Sequence, residues 1–286
     1  MTGVSIVTDS TASLPAGIAE NLKITWVPYY IHQGKQVLRD LVTAKAESFY
    51  AWMENANELP TTASPGPGDY LETYTTLFEK GARAIASIHM TSKGSGAYQA
   101  ALAAKGLIEE KIPDLQIEVI DTLNVAMCQG WIAMEAARAA LAGATLGDVV
   151  EKIRALIPTA QMIQTADTLR YLHLGGRIGK ATHLVGSLLN IKPLIGMRDG
   201  VIVALGKTRS RQKAYQAMVD FVDEAAIALG PLKLAYMHAA AKAEALRLKE
   251  MVEERIETVE SYVAELSPAL GVHSGPGTTG LCLIVA

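Results

Sequence analysis

Between Ala84 and Lys111 the chain changes character twice. The apolar run Ala84-Ile85-Ala86-Ser87-Ile88 gives way to His89-Met90-Thr91-Ser92-Lys93-Gly94-Ser95-Gly96, and an alanine-rich helical stretch starts at Ala97. That order is strand, loop, helix N-terminus. Unpaired backbone N–H groups and the positive end of the helix dipole attract anions there, and Thr91, Ser92 and Ser95 add hydroxyl donors. A glycine-rich phosphate loop requires Gly-x-x-x-x-Gly-Lys-Ser/Thr. Here Gly94-Ser95-Gly96-Ala97-Tyr98-Gln99 has no such lysine and lacks the third glycine of the dinucleotide fingerprint. The segment reads as small-anion recognition and not as nucleotide recognition. A serine at this place is also an ordinary helix cap, worth about 1 kcal/mol, and the segment alone does not decide between the two.

Three other segments carry polar groups in unusual settings. Pro60-Thr61-Thr62-Ala63-Ser64-Pro65-Gly66-Pro67-Gly68-Asp69-Tyr70 places hydroxyls among three prolines; proline fixes φ, and a stiff loop holds a hydroxyl still for a ligand. The same pattern also describes a rigid turn in which Ser64 or Asp69 caps the next helix. Leu172-His173-Leu174-Gly175-Gly176-Arg177-Ile178-Gly179 puts Arg177 after paired glycines, where backbone can approach a ligand or partner closely. Leu270-Gly271-Val272-His273-Ser274-Gly275-Pro276-Gly277 puts His273 between an expected strand and a glycine-rich loop. Each admits a plain structural role, loop bracing for the arginine and a satisfied hydrogen bond for the histidine. Neither a His-Glu-x-x-His zinc spacing nor a Gly-x-Ser-x-Gly elbow occurs, so no metal is expected.

These residues need elements to position them. In the first half, strands Val4–Val7, Ile24–Ile31, Ala84–Ile88 and Gln116–Ile120 alternate with helical stretches 14–21, 45–55, 69–80, 97–111 and 126–142, the grammar of a mostly parallel sheet with flanking helices. Ligands of such sheets collect at the carboxyl ends of the strands, where Thr8-Asp9-Ser10, Thr91-Ser92 and Asp121-Thr122 all fall. The second half predicts helices 146–156, 180–189, 213–228 and 242–255 and strands 161–165, 194–197, 201–205, 234–238 and 281–285. Arg198-Asp199-Gly200 marks a hairpin, which gives this half antiparallel character. Two α/β domains, 1–158 and 159–286, are expected.

With 286 residues, 50% apolar and 19% charged, the chain is long enough for two real cores. A net charge of −3 removes the electrostatic reason to expect nucleic acid, and the basic run Lys207–Lys213 reads as solvated surface. Cys128 and Cys282 fit no metal or redox spacing, so both are expected as reduced, buried residues. The polar N-terminus and the lack of an apolar run of about 18 residues point to a cytoplasmic protein.

Taken in order, Val7-Thr8-Asp9-Ser10-Thr11, Thr61-Thr62 with Pro65-Gly66-Pro67-Gly68, Thr91-Ser92 with Ser95-Gly96, Val119-Ile120-Asp121-Thr122, Leu169-Arg170-Tyr171-Leu172 with Gly175-Gly176-Arg177-Ile178, Ile191-Lys192-Pro193-Leu194, and His273-Ser274-Gly275-Pro276-Gly277 resemble the DegV family over nearly the whole chain. The resemblance implies a two-domain α/β fold that binds a long-chain fatty acid between its domains, with no other cofactor. It further implies a non-catalytic, FakB-like subunit that presents the acid to a separate dihydroxyacetone-kinase-like fatty acid kinase for acyl phosphate formation in phospholipid metabolism. By the same resemblance Thr62 and Ser95 bind the carboxylate, while Ser92, Arg177 and His273 support the head group or face the partner. Ala63, Gly66, Ala97, Ala126 and Leu174 depart from the family pattern and thin the hydroxyl network. Leu184, Val185, Leu188 and Leu189 form an apolar face suited to the acyl tail or to ordinary core. Two other readings remain: a stand-alone enzyme using Arg177 and His273 on a small phosphate or carboxylate ester, and a lipid-responsive regulatory protein.

Overall fold

The computed structural model describes residues 3–56, 58–187 and 191–286. Strands β1 (Val4–Asp9), β2 (Ile24–Val27), β6 (Ala84–His89) and β7 (Gln116–Asp121) form a parallel sheet in the order β2-β1-β6-β7. Strands β3 (Tyr30–Gln33), β4 (Gln36–Arg39) and β5 (Thr61–Ala63) make a small antiparallel sheet ordered β4-β3-β5. The second half supplies a mixed sheet from β8 (Gln161–Thr165), β9 (Lys192–Arg198), β10 (Val201–Thr208), β11 (Leu232–His238), β12 (Glu260–Glu265) and β13 (Thr279–Val285). Its order is β10-β9-β8-β13-β11-β12, and only β11 and β12 pair in parallel.

The helices are α1 (Ile18–Asn21), α2 (Ala46–Met53), α3 (Pro67–Glu79), α4 (Ala97–Glu109), α5 (Met127–Leu141), α6 (Leu146–Leu156), α7 (Arg170–Leu174), α8 (Arg211–Leu229), α9 (Lys242–Glu253) and α10 (Pro268–Ser274). Their starts follow local chemistry. Proline opens α3, and Asp69 Oδ2 accepts the Gly66 N–H at 2.8 Å. Thr145 and Asp148 form a reciprocal capping box before α6. Among the described residues no helix is long and apolar enough to cross a membrane.

α5 sits between the parallel and mixed sheets, packs on both β1 and β13, and is buried nearly all round. One apolar core therefore runs from Ile6 and Val7 through Trp131 to Cys282 and Ile284. The free thiols Cys128 and Cys282, far apart in sequence, are neighbours there; burial first, then the adjacent Cys282, holds the Cys128 thiol well above its ordinary range. Where α5 meets the surface, Glu135 gathers Arg138, Lys233 and Lys152 at 2.6, 2.7 and 3.1 Å, and Arg138 forks onto Glu260. Burial opposes ionisation of Glu135, but these cations hold its carboxyl below the usual range.

Several expectations need correction. The strand expected over 24–31 is broken at Pro28-Tyr29, because proline has no N–H for the ladder; its two pieces serve different sheets. The helix expected over 14–21 shrinks to a single turn, α1. The helix expected over 180–189 is a 3-10 helix over Gly179–Ser187. Arg211, expected on a solvated surface, bonds the Gly277 carbonyl and Asp167. His273 lies in the last turn of α10 and not in a loop.

Candidate functional site

The carboxyl ends of β1, β6 and β7 open toward the mixed sheet, and a cavity of about 380 Å³ lies between them. That volume is within the range of small-molecule pockets, roughly 300–1,000 Å³. Thr62, Ser95, Arg177 and His273, from four separate segments, all line it.

Each arrives by a different device. Thr62 is the middle residue of β5, paired opposite Ile31 of β3. Ser95 stands one residue before the Gly96 cap of α4, and its Oγ accepts the Ala97 N–H at 3.3 Å. Arg177 follows α7, exposed, with Nη1 donating to the Gly175 carbonyl at 2.7 Å. His273 comes from α10. A Cβ at Gly175 would stand 2.4 Å from His273 Nδ1, so only glycine lets α7 approach the imidazole this closely.

The polar groups pair before any ligand is considered. Thr62 Oγ1 and His273 Nε2 are 2.8 Å apart, and Ser95 Oγ and the Tyr29 hydroxyl 2.6 Å. His273 Nδ1 is buried without a partner. A bare ring nitrogen is cheaper to bury unpaired than an N–H, which places the proton on Nε2, donating to Thr62. Burial, and secondarily the positive charge of Arg177, pushes His273 down to about 4, so the ring is neutral at physiological pH. The Arg177 charge also acts on Tyr29, as the smallest of the influences on that phenol. Much of the remaining wall is apolar, from Met90, Met162, Met197, Leu172, Ile202 and Leu270, interrupted by polar side chains such as Thr11, Ser64 and Gln164.

Other expected hydroxyls are committed elsewhere. Thr91 Oγ1 donates to the Gly200 carbonyl at 2.9 Å, and Lys93 Nζ to the Asp199 carbonyl at 2.7 Å, so the β9–β10 hairpin tip is tied to the β6–α4 loop. Gly200 has φ +76°, as that turn requires. Ser92 does not line the cavity; its backbone N–H binds Asp121 Oδ2 at 3.1 Å. Thr122 donates to the His89 carbonyl. Leu184 packs into a small core with Leu169, Leu172 and Ile195 and does not itself line the cavity. Leu188 and Leu189, and the side chain of Val185, lie outside the described residues.

Sequence reasoning missed Tyr29 and Asp40. Asp40, fully buried just after β4, accepts the Ala269 N–H at 3.1 Å and so holds the first turn of the helix that carries His273. Burial pushes its carboxyl up from 3.8 to about 6. The folded state then keeps a proton that the unfolded chain releases between those values. Stability from this group is full below about pH 4 and falls as pH rises through 6, by about 3 kcal/mol. Asp40→Asn should flatten that slope. Urea unfolding of both proteins across this range checks it, and an unchanged slope would clear Asp40.

Comparison with known proteins shows the family and the fold. The family model described as "Uncharacterised protein, DegV family" matches residues 3–286. The chain belongs to the DegV family. A DegV domain-containing protein of Halalkalibacterium halodurans is 32% identical over 283 residues, 98% of each chain. Two solved structures share the fold. A DegV family protein from Thermus thermophilus, described by its fatty acid binding, superposes with a TM-score of 0.92 at 26% identity, covering 99% of this chain and 100% of that one. A stearic acid-binding protein from Eubacterium ventriosum gives 0.90 at 26% identity, covering 99% and 98%.

Proposed function

We propose that this chain binds a long-chain fatty acid in the cavity, with the carboxylate at Thr62 and Ser95 and the tail along the methionine and leucine wall, and that it presents the acid to a separate fatty acid kinase. The observation that carries this reading is the joining of two opposite environments in one cavity. One part offers hydroxyl protons, a helix N-terminus and a guanidinium; much of the rest is methionine, leucine and isoleucine. A buried carboxylate needs such donors. An acyl tail gains roughly 0.8 kcal/mol per methylene withdrawn from water, on the order of 10 kcal/mol in all before binding costs. The fatty acids bound by DegV relatives support the same ligand class.

Presentation rests on Arg177. It is exposed at the cavity wall and carries full charge beside a neutral His273, so it can orient the carboxylate and offset charge as phosphate arrives. Solvent extraction of the purified protein followed by mass spectrometry tests binding, and addition of a dihydroxyacetone-kinase-like fatty acid kinase with ATP tests transfer. Arg177→Ala and His273→Ala should each lower acyl phosphate formation more than fatty acid retention. Unimpaired transfer in both would remove them from the site, and turnover of an ester by the chain alone would replace this reading with an enzymatic one.

A further inference from the structure

We propose that Tyr29 is a positioning residue: its hydroxyl fixes the direction of the Ser95 proton, so that Ser95 offers its proton but no free lone pair and favours an ionised acid over ligands that carry a proton of their own. The proposal rests on the fatty acid reading above. A serine hydroxyl has one proton and two acceptor positions. The Ala97 N–H fills one of them at 3.3 Å, and the Tyr29 hydroxyl lies 2.6 Å from the same oxygen. A phenol is a far stronger acid than an aliphatic alcohol, so the phenol donates and the serine accepts. Burial, and then the negative charge of Asp9, holds the Tyr29 phenol well above its ordinary range, so it keeps its proton. Both acceptor positions of Ser95 are then filled, and its proton is left to the cavity.

The tyrosine is held for this task. It is buried and lines the cavity. Its N–H donates to Ser10 Oγ at 3.1 Å and its carbonyl accepts the Asp40 N–H at 2.9 Å, which anchors its backbone where Pro28 ends β2. Thr62 is arranged in the same sense, since its oxygen accepts from His273 Nε2 at 2.8 Å. A carboxylate, which only accepts, meets two aimed protons. A fatty alcohol meets the same two protons but finds no free acceptor position on Ser95 for its own.

The test compares palmitate with cetyl alcohol, the alcohol of equal chain length, by displacement of a fluorescent fatty acid from the full chain. Tyr29→Phe removes only the hydroxyl and opens an acceptor position on Ser95. Palmitate affinity should fall about tenfold while cetyl alcohol affinity holds or rises, so the preference for the acid shrinks by at least that factor. In a Ser95→Ala background the same substitution should leave the preference unchanged. An equal fall for both ligands, or an unchanged preference, would overturn the proposal. Ser95→Ala alone must also shrink the preference, which keeps the proposal open to refutation if Tyr29→Phe does not fold. Failure of the wild-type chain to bind palmitate at all would instead reject the fatty acid reading.

Discussion

Ser95→Ala and Thr62→Val should each weaken fatty acid binding by tenfold or more while leaving the fold intact. Each removes one hydroxyl that donates to a charged acceptor, an interaction worth about 1.5–3 kcal/mol, and roughly 1.4 kcal/mol is a factor of ten in affinity. Neither side chain is fully buried. Ser95 does accept the Ala97 N–H, so its loss also frees the first N–H of α4 and Tm should fall slightly. Thr62 stands in a three-residue strand whose pairing with β3 runs through backbone, and valine suits a strand at least as well. Calorimetric titration with a fatty acid, alongside thermal unfolding, separates the two effects. Wild-type affinity in both variants would mean that the carboxylate is held elsewhere.

Asp9→Ala should be the most destabilising single change outside the apolar core. Asp9 is fully buried at the end of β1 and accepts from three donors: the Thr11 N–H at 3.1 Å, the Thr11 hydroxyl, and His89 Nδ1 at 3.2 Å. Behind His89 the chain of bonds continues. The Tyr74 hydroxyl donates to Ser87 Oγ at 2.8 Å, and Ser87 lies 2.7 Å from His89 Nε2. That direction leaves Nδ1–H for the aspartate. Alanine would strand the Thr11 N–H and the His89 Nδ1–H in a fully buried site, at about 1–3 kcal/mol for each buried group left unpaired, while the Thr11 hydroxyl keeps Gln129 Oε1 at 3.1 Å. A loss on the order of 3 kcal/mol or more is expected, and Tm should drop by roughly 10 °C. Thr11 lines the cavity, so ligand affinity should fall with it. Denaturant unfolding measures the first effect; a loss under about 1 kcal/mol would show that the network does not brace β1.

The sequence was most legible where its period was regular. Helix α6 begins and ends where the pattern places it, because Thr145, Asp148 and Pro158 mark its limits, and Gln161–Thr165 is a short apolar run between clear boundaries. The segments that supply Thr62, Ser95, Arg177 and His273 could be named because stiff or glycine-rich loops stand out from periodic neighbours. What those loops touch could not be read. The Thr91 hydroxyl is taken up by a carbonyl 109 residues away, and no local pattern records such a partner. Tyr29 looked like one aromatic in a longer strand until Pro28 was seen to divide it. α10 was hidden by Gly271 and Gly275, which suggest a loop, although Pro268 at the first helical position and Gly275 at φ +80° are the usual signs of a helix start and stop.

The position of β13 orders the events of synthesis. It follows all its sheet neighbours in the sequence, yet it lies between β8 and β11 in the interior of the mixed sheet. While the ribosome is still making residues 279–285, β8 and β11 have no strand between them and each shows a bare edge, the kind of surface that recruits other chains. α10 precedes β13 directly, so His273 reaches the cavity at nearly the same moment. A nascent chain therefore passes most of its synthesis with the parallel sheet made and the binding cavity unfinished.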